Sequence, residues 1–95
     1  MVSTEQTKNF AVVSRLGLHA LAATRIVQTA TGFSAEVEVE KDGQQANGKN
    51  IIEMLMLLAD EGSKITIRSK GDDAEQAMAA IEELILSGFG EAAAA

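Results

Sequence analysis

The chain contains no cysteine, proline, tryptophan or tyrosine, and it has a single histidine. Without cysteine there is no disulfide framework and no thiol nucleophile, and one histidine alone cannot form the usual zinc site. Basic residues are few, 8 against 14 acidic ones, which gives a formal net charge of −6. That charge disfavours nucleic acid and anionic membrane surfaces. We therefore expect no metal site, no nucleic-acid partner and no membrane association.

Long hydrophobic runs are also absent. No apolar stretch approaches the roughly 20 residues of a membrane-spanning helix, and the first eight residues lack the apolar core of a signal peptide. We therefore expect a cytoplasmic protein. Its 95 residues are enough for one packed core and too few for two. We predict a single domain over residues 1–95, with its core at about 7–88 and a flexible tail at 89–95.

Four segments have the composition of β-strands. The pattern is clearest from Phe33 to Glu40, where apolar residues alternate with acidic ones and so form one apolar face and one acidic face. Asp42 and Gly43 then form a strong hairpin signal, which makes residues 44–47 a short polar edge strand. A first strand is predicted at about residues 7–13, and a fourth at about 63–69.

Three segments have helical periodicity. The first covers residues 20–31 with Gly32 as its C-cap, and the second covers residues 50–59. The third carries the most regular apolar stripe and is capped by Asp72 or Asp73. Gly88 and Gly90 are predicted to end it. The stripe consists of Ala74, Ala77, Met78, Ile81, Leu84 and Ile85.

The order strand, helix, strand, strand, helix, strand, helix indicates an α+β fold. Helices on one face of a largely antiparallel sheet would bury their apolar stripes against the apolar strand faces. The acidic face of the second strand would then be solvated. The first two strands, joined through a helix, would run parallel with the fourth strand between them.

The single histidine, His19, lies in the tract Leu-Gly-Leu-His-Ala-Leu-Ala-Ala at residues 16–23, where a loop meets a helix start. An imidazole there can carry a phosphoryl group beside free backbone N–H groups. The tract resembles that of the HPr-type histidine phosphocarriers of bacterial phosphotransferase systems, in which Gly-Leu-His-Ala is followed by Arg-Pro-Ala. Leu21 and Ala22 stand at the arginine and proline places. A second tract at residues 48–52, Gly-Lys-Asn-Ile-Ile, is similar to the family's Gly-Lys-Ser stretch.

The resemblance implies an open-faced β-sandwich with strand order 1-4-2-3 and three helices on one face. It also implies that His19 accepts a phosphoryl group from phosphorylated Enzyme I and passes it to an Enzyme II A component. The phosphoryl oxygens would be held by the amides of Ala20 and Leu21. Because the family arginine is missing, Arg15 and Arg25 are the candidates for its role, and Arg15, in the loop, is the better one. No cofactor is implied, and we expect a monomer.

The resemblance further implies that partners dock on the first two helices. The corresponding apolar residues are Leu16, Leu18, Leu21, Ile51, Ile52 and Leu55. A short second helix cannot bury all of its apolar residues, so we expect an exposed patch there, with Glu53 inside it. Asn50 stands where many members carry a serine that a kinase phosphorylates. It retains the ability to cap the helix but cannot be phosphorylated.

Two functions remain open at this point. The first is a phosphocarrier that relays the phosphoryl group on His19, acting as a covalent carrier more than as an enzyme, with no small-molecule catalysis of its own. The second is a regulatory or interaction module of the same fold, impaired in transfer, that binds protein partners through the first two helices. Leu21 favours the second function because leucine enlarges an apolar docking patch at the expense of phosphate stabilisation.

Overall fold

The computed structural model of the chain describes residues 4–12, 18–57 and 63–87. Its strands and helices occur in the predicted order. Two of them begin two residues earlier than predicted, the first strand at Glu5 and the first helix at Leu18. The elements are β1 (Glu5–Val12), α1 (Leu18–Thr31), β2 (Glu36–Lys41), β3 (Gln44–Asn47), α2 (Ile51–Leu57), β4 (Ser63–Lys70) and α3 (Ala74–Leu86).

The four strands form one antiparallel sheet in the order β1-β4-β2-β3. Phe10 of β1 lies opposite Ile65 of β4, and Val39 of β2 lies opposite both Ile67 of β4 and Ala46 of β3. Because β4 is antiparallel to β1 and to β2, those two strands run parallel with β4 between them. The predicted α+β fold and its strand order 1-4-2-3 are confirmed.

The core lies between one face of the sheet and the helices, and it is almost entirely aliphatic. Alternate residues of β2 are buried, which is the period-two pattern expected of a half-buried strand. Phe10 is the one aromatic side chain in the core of the described residues. The largest fully buried side chains are Ile26, Val39, Met54, Ile65, Ile67, Met78 and Ile81.

The β2–β3 hairpin turns at the predicted dipeptide. Asp42 and Gly43 both have positive φ angles, 52° and 81°, as a two-residue turn requires when its twist matches that of the strands. The short polar strand β3 follows at the edge of the sheet, as expected.

The open face of the sheet carries an ion-pair cluster in addition to the expected acidic side chains. The Arg68 guanidinium on β4 lies 3.1 Å from a Glu38 carboxylate oxygen and 2.9 Å from one of Glu40, both on β2. The hydrogen bond with Glu40, followed by the attraction of both carboxylates, raises the pKa of Arg68 above its ordinary value. Two of the acidic side chains on this face, Glu38 and Glu40, are therefore partly neutralised by Arg68 of β4.

The cap of α3 differs from the prediction. Asp73 occupies the N-cap position, but its carboxylate makes no capping hydrogen bond to α3. It accepts hydrogen bonds from the Ser34 amide (2.9 Å), the Ser34 hydroxyl (3.2 Å) and the Ala35 amide (2.7 Å). These bonds, the one from the Ser34 amide foremost, lower the pKa of Asp73. The side chain thus joins α3 to the α1–β2 connection.

Gly32 directly follows the last residue of α1, as predicted, but it does not form the usual glycine C-cap. Gly32 does not adopt a left-handed conformation. Instead, its amide donates to the Thr29 carbonyl at 3.2 Å, and the Phe33 amide donates to the Ala30 carbonyl at 3.1 Å. These i to i−3 bonds tighten the last turn and satisfy terminal carbonyls without a positive φ. The predicted glycine end of α3 at residues 88–90 lies outside the described residues.

Candidate functional site

The start of α1 places His19 inside the first helical turn. The prediction began this helix at Ala20, whereas the structure begins it at Leu18, so His19 is its second residue. No proline restricts this turn, and leucine and alanine both have high helix propensity. The extension keeps His19 at the amino end of α1, where the helix dipole is positive.

The first turn of α1 has the properties of an anion-binding helix end. Its first amides have no acceptor within the helix, and no acidic residue lies in the turn to neutralise the dipole. Ala20 is the third residue of α1, so its amide is among those without a helical acceptor, and no described side chain accepts from it; Leu21 is the fourth residue, at which the helical hydrogen-bond pattern begins. Both amides belong to the set predicted to hold phosphoryl oxygens.

The residues that follow fix this helix end on the core. Ala22 and Ala23 are buried, so the start of the second turn packs directly against the domain. Leu21 is half-buried and Ala20 is exposed. Arg15 and Leu16 lie outside the described residues, as do the side chains of Leu18 and His19. The phosphate-binding and partner-binding roles of these residues stay predictions.

The connection into α2 explains the residue types of the second tract. The Gly48 amide donates to the Val37 carbonyl at 2.8 Å, and a Cβ on Gly48 would lie 2.6 Å from Val37 Cγ1. Only glycine fits so close a backbone approach. Asn50 Oδ1 then accepts a hydrogen bond of 3.1 Å from the Glu53 amide, which confirms that Asn50 caps α2.

One side of α2 is apolar and exposed. Met54 and Leu57 are buried against the core, whereas Ile51, Ile52, Leu55 and Met56 are 36%, 63%, 37% and 75% exposed. We call these four side chains the α2 apolar surface. The helix packs beside α1, so the surface belongs to the same side of the molecule as α1. The expected exposure is observed, and the docking role stays a prediction.

Two polar contacts around α2 were missed by sequence reasoning. Glu53 Oε1 accepts a hydrogen bond of 2.9 Å from the Asn47 amide, which ties α2 to the end of β3. Lys41 is buried, and its Nζ donates to the Leu57 carbonyl at 3.0 Å, at the carboxyl end of α2. The signal for Lys41 was present, because it continues the buried alternation of Val37 and Val39.

Within residues 4–12, 18–57 and 63–87, no three histidine, cysteine or acidic side chains lie close enough to hold a metal ion. Over the same residues, no helix combines the length and apolarity needed to cross a bilayer.

Comparison with known proteins agrees with these features. Residues 6–87 match the family model PTS-HPr, described as the PTS HPr component phosphorylation site. The chain is 41% identical over 80 residues to the phosphocarrier protein HPr of Neisseria meningitidis serogroup A, covering 84% of this chain and 90% of that protein.

Solved structures are similar as well. The crystal structure of HPr from Thermoanaerobacter tengcongensis superposes with a TM-score of 0.82 at 36% identity, covering 90% of this chain and 96% of that one. A dimer of HPr from the same organism superposes with a TM-score of 0.70 at 38% identity, covering 81% and 90% of the two chains.

The fold and the helix start together define a small open-faced sandwich with a histidine at the amino end of its first helix. The matched model spans most of the chain, and the relatives exceed one third identity over most of their length. The chain belongs to the HPr family, the phosphocarrier proteins of the phosphotransferase system.

Proposed function

We propose that His19 carries a phosphoryl group that it accepts from phosphorylated Enzyme I and passes to an Enzyme II A component. The observation that carries this proposal is the position of the only histidine in the first turn of α1, a turn without acidic residues. A phosphoryl group there lies at the positive end of the helix dipole and near unpaired backbone donors. Membership of a phosphocarrier family supports the same role.

The transfer step is a displacement between two imidazoles. Imidazole is largely neutral at about pH 7, so one ring nitrogen retains a lone pair that can attack phosphorus. The Nδ1 lone pair of His19 forms the new P–N bond while the P–N bond to the donor imidazole breaks, and the donor ring keeps that electron pair. Each ring retains the proton on its other nitrogen, so charges and protons balance without an added base.

The first-turn amides supply the remaining stabilisation. The amides of Ala20 and Leu21 follow His19 directly and would donate to the phosphoryl oxygens. The Ala20 amide has no helical acceptor, whereas the Leu21 amide, fourth in α1, would have to be shared with the first helical hydrogen bond. Arg15 is the proposed source of the positive charge that the family arginine provides. No cofactor enters the step, and the partner surface completes the catalytic arrangement. We place this chemistry in the cytoplasm and propose that the chain acts as a monomer.

Incubation with phosphoenolpyruvate and Enzyme I, followed by intact mass measurement, tests the proposal. We expect a mass gain of one phosphoryl group that is lost in acid and is absent from the His19→Ala variant. A gain that persists in His19→Ala would contradict the assignment, and so would the absence of any gain in the unmodified chain. Circular dichroism of the variant checks that it is folded.

A second function is favoured by one observation. Leu21 is half-buried at the family arginine place and contributes apolar surface beside α2 instead of charge. This arrangement suits an interaction module that binds partners through α1 and α2 without carrying phosphate. Binding of a partner that is unchanged in His19→Ala, together with no mass gain in the unmodified chain, would support that function over the first.

A further inference from the structure

Methionine is the one sulfur-containing side chain of this protein. The sequence has four methionines and no cysteine, and it also lacks tyrosine and tryptophan. A peroxide therefore meets no thiolate, the side chain that otherwise reacts with it first. Oxidation by such a reagent falls on those methionine sulfurs that it can reach.

The fold gives the reagent unequal access to the methionines. Met54 and Met78 are 0% and 1% exposed, whereas Met56 is 75% exposed. Met54 and Met56 are only two residues apart in α2, but a turn of about 100° per residue places them on opposite sides of the helix. Met56 is thus the accessible methionine of the described residues, and Met1 lies outside them.

The Met56 thioether is part of the α2 apolar surface. Ile52, itself 63% exposed, lies four residues earlier and is therefore its neighbour on the helix. Oxidation converts this flexible apolar side chain into a polar one, because the new S–O group is a hydrogen-bond acceptor. In the free chain that oxygen stays in water. Covering it with an apolar partner surface removes the water without supplying a donor, which is unfavourable.

The chemical step needs only a hydroperoxide. A lone pair of the Met56 sulfur attacks the hydroxyl oxygen of the peroxide, and the S–O bond forms while the O–O bond breaks. The transferred oxygen gives its proton to the departing oxygen, which leaves as water when the reagent is hydrogen peroxide. Sulfur loses the two electrons that the peroxide gains. We propose that Met56 is an oxidation site for peroxides and that its sulfoxide weakens the binding of Enzyme I. This inference rests on the proposed function, which makes Enzyme I the partner.

Treatment of the folded chain with hydrogen peroxide at neutral pH, followed by peptide mass mapping, tests the site. We expect one added oxygen on Met56 and none on Met54 or Met78, which serve as internal controls, and oxidation of all three in concentrated urea. Tm should not change on treatment, because Met56 lies largely outside the core. Oxidation of Met54 or Met78 as fast as that of Met56 in the folded chain would overturn the inference, and so would a fall in Tm, since weaker binding would then report loss of structure.

Isothermal titration with unphosphorylated Enzyme I, after removal of the peroxide, tests the consequence. Treatment should raise Kd of the unmodified chain at least about 5-fold, the lower end of the cost of burying an unpaired polar group. Methionine sulfoxide reductase should then restore the original Kd. In Met56→Leu, which keeps an apolar side chain and shares Met1, treatment should leave Kd as it was before treatment. An unchanged Kd in the unmodified chain, an equal rise in Met56→Leu, or no binding by the untreated chain would overturn the inference. The mass gain from phosphoenolpyruvate, measured on the untreated chain, reports on the proposed function independently of all these values.

Discussion

Restoring the family arginine should strengthen the phosphoryl site, and Leu21→Arg is the substitution that does so. Leu21 lies two residues after His19 in the first turn of α1 and is half-buried, so a longer side chain at this position can reach solvent. Its guanidinium can then fold back toward the positive end of the helix, where the phosphoryl oxygens would lie. Arginine matches these oxygens with a planar pair of donors.

The size of the effect follows from this partial exposure. A hydrogen bond to a charged group contributes about 1.5–3 kcal/mol when it is well shielded. Water at a half-exposed position reduces that figure, so we expect about 1–1.5 kcal/mol, which corresponds to a roughly 5- to 13-fold faster transfer. The loss of half-buried leucine surface lowers stability slightly without touching the buried Ala22 and Ala23.

Rapid-quench measurement of phosphoryl transfer from Enzyme I gives the rate, and the half-life of the phosphorylated chain gives its stability. Leu21→Gln controls for the loss of leucine without adding charge. Thr24→Arg controls for the added charge, because Thr24 is exposed one turn further along α1. If Leu21→Arg has the rate and half-life of either control, a guanidinium at this position does not stabilise the phosphoryl group and the reasoning is refuted.

Three predictions concern the fold that supports the site. Gly48→Ala should lower Tm by about 5–15 °C, because the new methyl group overlaps Val37. An unchanged Tm would mean that Gly48 and Val37 can move apart without cost. Met54→Ala should lower the free energy of unfolding in urea by about 2–5 kcal/mol, because Met54 is 0% exposed. Met56→Ala should lower it by less than about 0.5 kcal/mol, because Met56 is 75% exposed. Equal losses would contradict this placement of the two side chains. The lowered pKa of Asp73 means that its ionised form stabilises the fold above about pH 4 and that this contribution is lost as the pH falls through the lowered pKa. The free energy of unfolding, measured at about pH 6 and pH 3, should therefore fall less on acidification for Asp73→Asn than for the unmodified chain. An equal fall in the two chains would contradict the hydrogen bonds assigned to this carboxylate.

The features predicted correctly depend on periodicity and on local backbone chemistry. The alternation in β2 follows from side chains that point to opposite faces, and the Asp42-Gly43 turn follows from two residues that tolerate positive φ. Asn50 caps α2 through a contact only three residues away. Such features are visible in a sequence because their partners are close along the chain.

The features predicted wrongly, or missed, depend on partners that are distant along the chain. Asp73 sits at a helix start and was expected to cap it, but its carboxylate binds amides of Ser34 and Ala35, which nothing near Asp73 indicates. The Glu53 carboxylate likewise binds the Asn47 amide at the end of β3. At the candidate site, the resemblance pointed to His19 and the start of α1, whereas nothing near Lys41 along the chain indicates that its ammonium binds the Leu57 carbonyl.

The order of the strands determines when this sheet can form. β4 is central and pairs with both β1 and β2, yet it is the last strand to be synthesised. A nascent chain that ends at Leu57 contains only the β2–β3 hairpin, and β1 has no neighbouring strand until β4 has left the ribosome. Pairing between such distant segments is slow because a large loop must close first. The start of α1 therefore acquires its supporting sheet only when synthesis is nearly complete, and a message truncated before β4 yields a chain without a platform for the histidine.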